Sequence, residues 1–217
     1  MSLKKPCVCA YCGLPSDKRD KEHVFPRNLY PQSKATSKVQ RLTIPACNRC
    51  NNSWADDEAH FRNILVLAGD PTTPARTELW NTKVDRSFSQ IDGLKRLQDI
   101  AEQMKSVNVS GQDRHMVYPG NDARVIRVMR KIVRGLSCYH EISWPLPENR
   151  IFVDVLKYEV PDNLLGAMES HHRDKDIVEY GFQVLNENGI QSVWIIRFFQ
   201  TVPFIAIVSS GNETFET

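Results

Sequence analysis

Two Cys-x-x-Cys pairs, Cys9-Ala-Tyr-Cys12 and Cys47-Asn-Arg-Cys50, stand 34 residues apart near the start of this 217-residue chain. A two-residue gap in a tight turn lets both thiolates of a pair face one ion, and two such pairs supply four tetrahedral ligands. Gly13 follows the first pair and gives the backbone the freedom such a turn needs. The spacing predicts a structural Zn2+ on Cys9, Cys12, Cys47 and Cys50. Cys7 competes with Cys9, but Cys9 gives the cleaner spacing, so Cys7 and Cys138 read as small residues or free thiols. Five of the six cysteines fall in the first fifty residues. Such clustering in a reducing compartment points to metal rather than disulfides.

The remaining composition is that of an ordinary globular chain. No stretch is apolar over the length needed to cross a membrane, and the leading Met-Ser-Leu-Lys-Lys-Pro lacks the apolar core of a signal peptide. The expected location is therefore cytoplasmic, with no membrane partner. Net charge is only +2, yet it is unevenly spread. Residues 1–62 hold eleven Lys/Arg against six Asp/Glu, and the rest hold seventeen against twenty. A basic front suits a phosphate-binding module.

Texture divides the chain at about residue 70. Residues 1–70 read as a zinc-stapled module closed by one helix from about Asn48 to Leu67, with Trp54, Phe61, Ile64 and Leu65 facing a core and Gly69-Asp70-Pro71 ending it. Residues 71–217 read as an α+β domain of two helices and a small antiparallel sheet. The first helix is GLKRLQDIAEQMKSV, with Leu94, Leu97, Ile100 and Met104 at helical spacing. The second runs from about Ala123 to Leu136 with Asn121 or Asp122 as N-cap. Strands follow in RIFVDVLKYEV, IVEYGFQVL and SVWIIRFFQTVPFIAIVSS, the last two separated by the turn-forming Asn186-Glu187-Asn188-Gly189. His171-His172, in a charged run, reads as solvated loop.

Between the two cysteine pairs lies Glu22-His23-Val24-Phe25-Pro26, and Asn51 follows Cys50 directly. Phosphodiester cleavage needs an activated water, a cation against the pentacovalent phosphate and help for the leaving oxygen. An imidazole titrating near neutrality can take the water's proton, while a carboxylate and an amide oxygen are hard donors suited to Mg2+. The elements CAYCG, EHVFP and PACNRCNNSW, in that order over about residues 7–62, resemble the HNH endonuclease family in its four-cysteine subgroup. The resemblance implies a ββα-metal, treble-clef-like module and a metal-dependent endonuclease, with DNA the favoured substrate. It implies His23 as general base, Glu22 and Asn51 as ligands of a catalytic Mg2+ or Mn2+, and zinc in a structural role. Two positions depart from the family pattern. Glu22 stands where Asp is common, and Leu42 and Thr43 occupy the region of the family's middle Asn. Glu58, seven residues after Asn51, returns to the same helical face as an accessory ligand candidate, whereas His60 falls on the opposite face.

In ARVIRVMRKIVRGL, Arg124, Arg127, Arg130, Lys131 and Arg134 share one side of a helical wheel. They read either as a solvated face or as a phosphate-tracking stripe for nucleic acid. The C-terminal domain would then serve substrate binding, target choice or homodimer formation. Two alternatives remain at this stage: a non-catalytic zinc-stapled nucleic-acid-binding module, and a zinc-stabilised protein-interaction adaptor.

Overall fold

The computed structural model describes residues 7–16, 20–34, 40–68, 72–107, 115–173, 176–211 and 215. Its elements are β1 (Cys7–Val8), β2 (Pro15–Ser16), β3 (Asp20–His23), β4 (Thr43–Ala46), α1 (Asn48–Asn52), α2 (Ala55–Ala68), α3 (Pro74–Leu79), α4 (Asp85–Phe88), α5 (Gly93–Gln103), β5 (Lys105–Val107), β6 (His115–Val117), α6 (Ala123–Tyr139), β7 (Ile151–Val155), α7 (Asp162–Ala167), β8 (Glu169–Arg173), β9 (Val178–Glu187), β10 (Ile190–Phe198) and β11 (Val202–Ser209). The architecture is mixed α+β, and every strand pairing is antiparallel. Five strands form one sheet in the order β7-β11-β10-β9-β8. No helix among the described residues is long and apolar enough to cross a membrane.

Several expected elements differ in detail. The single helix expected from Asn48 to Leu67 is broken at Ser53-Trp54 into α1 and α2; the Ser53 N–H and hydroxyl both donate to the Cys50 carbonyl. Trp54, Phe61, Ile64 and Leu65 are all buried, as expected. The expected stop at Gly69-Asp70-Pro71 lies outside the described residues. After residue 71 there are five helices among the described residues instead of two. Pro74 opens α3 after Thr73, a favoured first-turn position because the missing N–H has no intrahelical acceptor there. Of the apolar face expected on α5 only Ile100 is fully buried, and Leu94 is exposed. The last long apolar run is two strands, β10 and β11, reversed at Phe199-Gln200, both at positive φ. Asn186, Asn188 and Gly189 take the left-handed conformations expected of the β9–β10 turn.

The longest helix, α6, is the hub. Asp122 caps it, accepting from the N–H groups of Arg124 and Val125 at 2.8 and 2.9 Å. One apolar core runs from Cys9, Val24 and Phe25 through Phe61 and Val133 to Phe198 and Val208, so residues on both sides of position 70 share it. Phe61 meets Phe198 edge-on with ring centroids 5.3 Å apart, and Phe25 meets Tyr180 at 5.7 Å. Gly135 lets α6 close on the β3–β4 hairpin: a Cβ there would sit 3.1 Å from a Val24 methyl and 3.4 Å from Ile44. That approach carries Lys131, one turn earlier, into reach of β3.

Asp122 does more than cap. Its second oxygen accepts from Tyr118 at 2.6 Å and meets His60 Nε2 at 3.2 Å. Burial would raise its pKa, but the bonds from His60, Tyr118 and the Val125 N–H hold it well below the usual carboxylate range. Asp122→Ala is expected to cost about 2–3 kcal/mol, from a lost cap and two stranded polar partners. Because the folded-state value is depressed, the contribution is present above the unfolded value of about 3.9 and fades as pH falls below it. Urea unfolding of both proteins at neutral and acid pH checks this, since the gap between them should narrow in acid.

Candidate metal centre and active site

Cys9 and Cys12 sit on a tight turn after β1. Gly13 takes φ 72°, and its N–H donates to the Cys9 carbonyl at 2.9 Å. The Ala10 N–H bonds the Pro45 carbonyl of β4 at 2.9 Å, tying this turn to the hairpin. Cys47 caps the start of α1 in extended backbone and Cys50 lies in its first turn. The four thiols converge, their sulfurs all within 4.8 Å of one another, with Cys12 and Cys47 at 3.9 Å. A tetrahedral ion with Zn–S near 2.3 Å requires sulfur separations of about 3.8 Å, close to the Cys12–Cys47 distance, so the set is compatible with a structural zinc. Burial pushes the Cys9 thiol up, but hydrogen bonds from the backbone at Cys12, Cys47 and Tyr11 outweigh it and bring the value down to about 7. Cys7 and Cys138 stand outside the cluster, as expected. Burial pushes Cys138 up to about 11, keeping it a thiol.

Neighbouring residues on a strand point to opposite faces, and Glu22 and His23 follow the rule. Glu22 faces inward and is buried; His23 is half-buried on the other side of the hairpin, opposite Thr43. The Glu22 carboxylate meets Lys131 Nζ at 2.5 Å. Lys131 is wholly buried, and also donates to Glu58 at 2.8 Å and to the His23 carbonyl at 2.7 Å. Burial raises the Glu22 pKa, Lys131 opposes the rise, and Glu58 adds to it.

This cage corrects the reading of the α6 wheel. Lys131 is the strut between α6, α2 and β3. Arg134 is likewise buried, donating to the carbonyls of Leu146 and Tyr11 and pairing with Glu148 at 2.7 Å. Lys131 faces the β3–β4 hairpin because Gly135 brings α6 against it, and Arg134 faces the Cys9–Cys12 turn and the chain at 146–148. Arg124 and Arg127 are exposed, and Arg127 pairs with Asp57 and lies over the Trp54 ring. The four therefore form no continuous phosphate stripe. His60, on the opposite face of α2 from Glu58, is buried against Asp122 and Tyr118.

His23 is pulled down to about 4 by burial and by the charges of Arg27, Arg41 and Lys131. Its imidazole is consequently neutral at pH 7, the form that accepts a proton. Its Nδ1 is buried with no hydrogen-bond partner among the described residues, and the same holds for Asn51 Oδ1 on α1, which packs against β3. Natively buried polar atoms are paired, so such orphans mark places for an ion or water. Arg27 and Arg41 were not singled out from sequence. The signal was present, because Arg27 lies four residues after His23 and Arg41 two residues before its cross-strand partner Thr43.

No protein-family model, curated protein or solved structure matches the chain.

Proposed function

We propose that the chain is a divalent-metal-dependent endonuclease of the ββα-metal type, cutting phosphodiester bonds in nucleic acid, with DNA the favoured substrate. The observation that carries the reading is a pair of buried polar side-chain atoms with no hydrogen-bond partner among the described residues. His23 Nδ1 and Asn51 Oδ1, singled out by their positions between and after the cysteine pairs, are both buried without partners among the described residues, in a frame that four thiols flank. In this reading β3, β4 and α1–α2 are the ββα unit and zinc is structural. His23 takes the proton of the attacking water, and Arg27 and Arg41 hold the phosphate. Asn51 would offer its oxygen to Mg2+ or Mn2+, which when bound would neutralise charge on the phosphate, and Glu22, turned from His23 toward Lys131, would reach that ion only through its second oxygen. The contacts of Lys131 engage Oε1 of Glu22 and Oε1 of Glu58, and each carboxylate has a second oxygen. Two carboxylates around one ammonium leave a net negative charge, which suits a further cation.

One observation favours a second reading. Lys131 already supplies a cation to Glu22, as it would in a zinc-stapled nucleic-acid-binding module that never cuts.

Zinc-loaded protein incubated with supercoiled plasmid, with and without Mg2+ or Mn2+, separates the two. Metal-dependent nicking with 5′-phosphate ends is expected. His23→Ala should lower the rate by about 10² or more while zinc content and DNA affinity persist, because general bases contribute on that scale. Asn51→Ala should raise the Mg2+ concentration needed. Undiminished cutting by His23→Ala overturns the mechanism, and binding without any cutting by the wild type selects the second reading.

A further inference from the structure

The end of α6 and the edge of the large sheet bring together a second set of metal-ligating side chains, remote in sequence from the four-cysteine cluster. On β8, Glu169 and His171 are two residues apart and so share one face. Their cross-strand partners on β9 are Phe182 and Tyr180, and Phe182 in turn opposes Trp194 on β10. The rings lie flat on one another: His171 is within 19° of parallel to Tyr180 at 5.0 Å and within 6° of parallel to Phe182 at 5.9 Å. Against this surface comes His140, the C-cap of α6. Glu141 takes φ 57°; its N–H bonds the Cys138 carbonyl at 3.2 Å, and the Ile142 N–H bonds that of Ser137 at 2.9 Å. This is the Schellman pattern, which ends the helix in a fixed direction and so fixes where His140 projects. The Tyr180 hydroxyl lies 3.0 Å from His140 Nε2 and orients the ring.

Two imidazoles and a carboxylate thus converge. His171 Nε2 lies 2.8 Å from Glu169 Oε1, and the ligand atoms of His140, Glu169 and His171 are all within 4.8 Å of one another. A tetrahedral zinc with bonds near 2.1 Å places its ligands about 3.4 Å apart. The Glu169–His171 contact is shorter than that, so an ion entering between them replaces this contact and moves the exposed Glu169 side chain outward. Aromatic packing and the Tyr180 contact hold the imidazoles, the kind of outer support that ligating histidines need.

We propose that His140, Glu169 and His171 form a second metal site for a divalent transition ion of the zinc class, independent of the four-cysteine site and of the nuclease reading. Three protein ligands leave a coordination position for water. An ion there clamps β8, the edge strand, to the end of α6.

The test uses full-length protein carrying one zinc in its thiolate site, titrated with Co2+ and followed by visible absorption and melting temperature. One further equivalent of Co2+ is expected, with visible d–d bands, no sulfur-to-cobalt charge-transfer absorption, and a rise in melting temperature. His171→Gln should abolish this uptake. Glu169→Gln alters an exposed side chain, so folding is retained, and it should weaken uptake by at least about tenfold, the lower bound for even an outer-shell partner. No second equivalent in the wild type overturns the site, as does uptake unchanged in both variants. Charge-transfer bands showing that Co2+ entered the thiolate site instead also overturn it.

Discussion

Cys47→Ser is expected to release the structural zinc and leave most of the chain unfolded at room temperature. Cys47 opens α1, a five-residue helix that has no side-chain cap bond and is too short to persist alone. Cys9, on the other arm of the site, has no exposed surface and belongs to the same core as Phe61, Val133 and Phe198. Losing the ion therefore opens the core shared by hairpin, helices and sheet, not a peripheral loop. Structural zinc contributes on the order of 10–16 kcal/mol in small finger domains, against about 5–15 kcal/mol for the whole stability of an ordinary domain. Elemental analysis should find the thiolate-bound zinc in the wild type and one zinc fewer per chain in Cys47→Ser, whose cooperative melting transition should disappear. Cys12→Ser should behave alike, whereas Cys7→Ser and Cys138→Ser should keep the ion. Metal-free protein with an unchanged melting profile would sink the assignment.

What was legible in sequence was what is local. The two Cys-x-x-Cys turns, the α6 cap, expected at Asn121 or Asp122 and found at Asp122, and the Asn-rich β9–β10 turn are each written within a few residues. What stayed hidden depends on distant partners. On a helical wheel Lys131 is one cation among five. Its burial is decided by the His23 carbonyl 108 positions away and by Glu58 73 positions away. The reversal between β10 and β11 was missed because Phe199 and Gln200, not Gly or Asn, take the left-handed conformations. His171 sits in a charged run that reads as loop, and only pairing with β9 turns it into a strand facing Tyr180 and Phe182.

Lys131→Met provides the sharpest test of how the fold serves the candidate site. The substitution keeps the length of the apolar stem and removes the ammonium, leaving Glu22 and Glu58 facing each other with no compensating charge. Breaking a buried pair from one side costs about 3–5 kcal/mol. Here the His23 carbonyl loses its donor as well, so the loss is expected at the upper end of that range, measurable by urea unfolding. Neutralising the cage, with Glu22→Gln and Glu58→Gln added to Lys131→Met, should recover most of the stability, because amides of similar shape carry no buried charge. If the second oxygens of the two carboxylates face a cation site, Mg2+ should raise the melting temperature of Lys131→Met more than that of the wild type. Cleavage should fall in Lys131→Met even at temperatures where it is fully folded, since the strand carrying His23 loses its tie to α6. Stability unchanged by the substitution would remove the cage from the account of the fold. A folded Lys131→Met protein that cuts at the wild-type rate would show that Lys131 positions nothing the reaction uses.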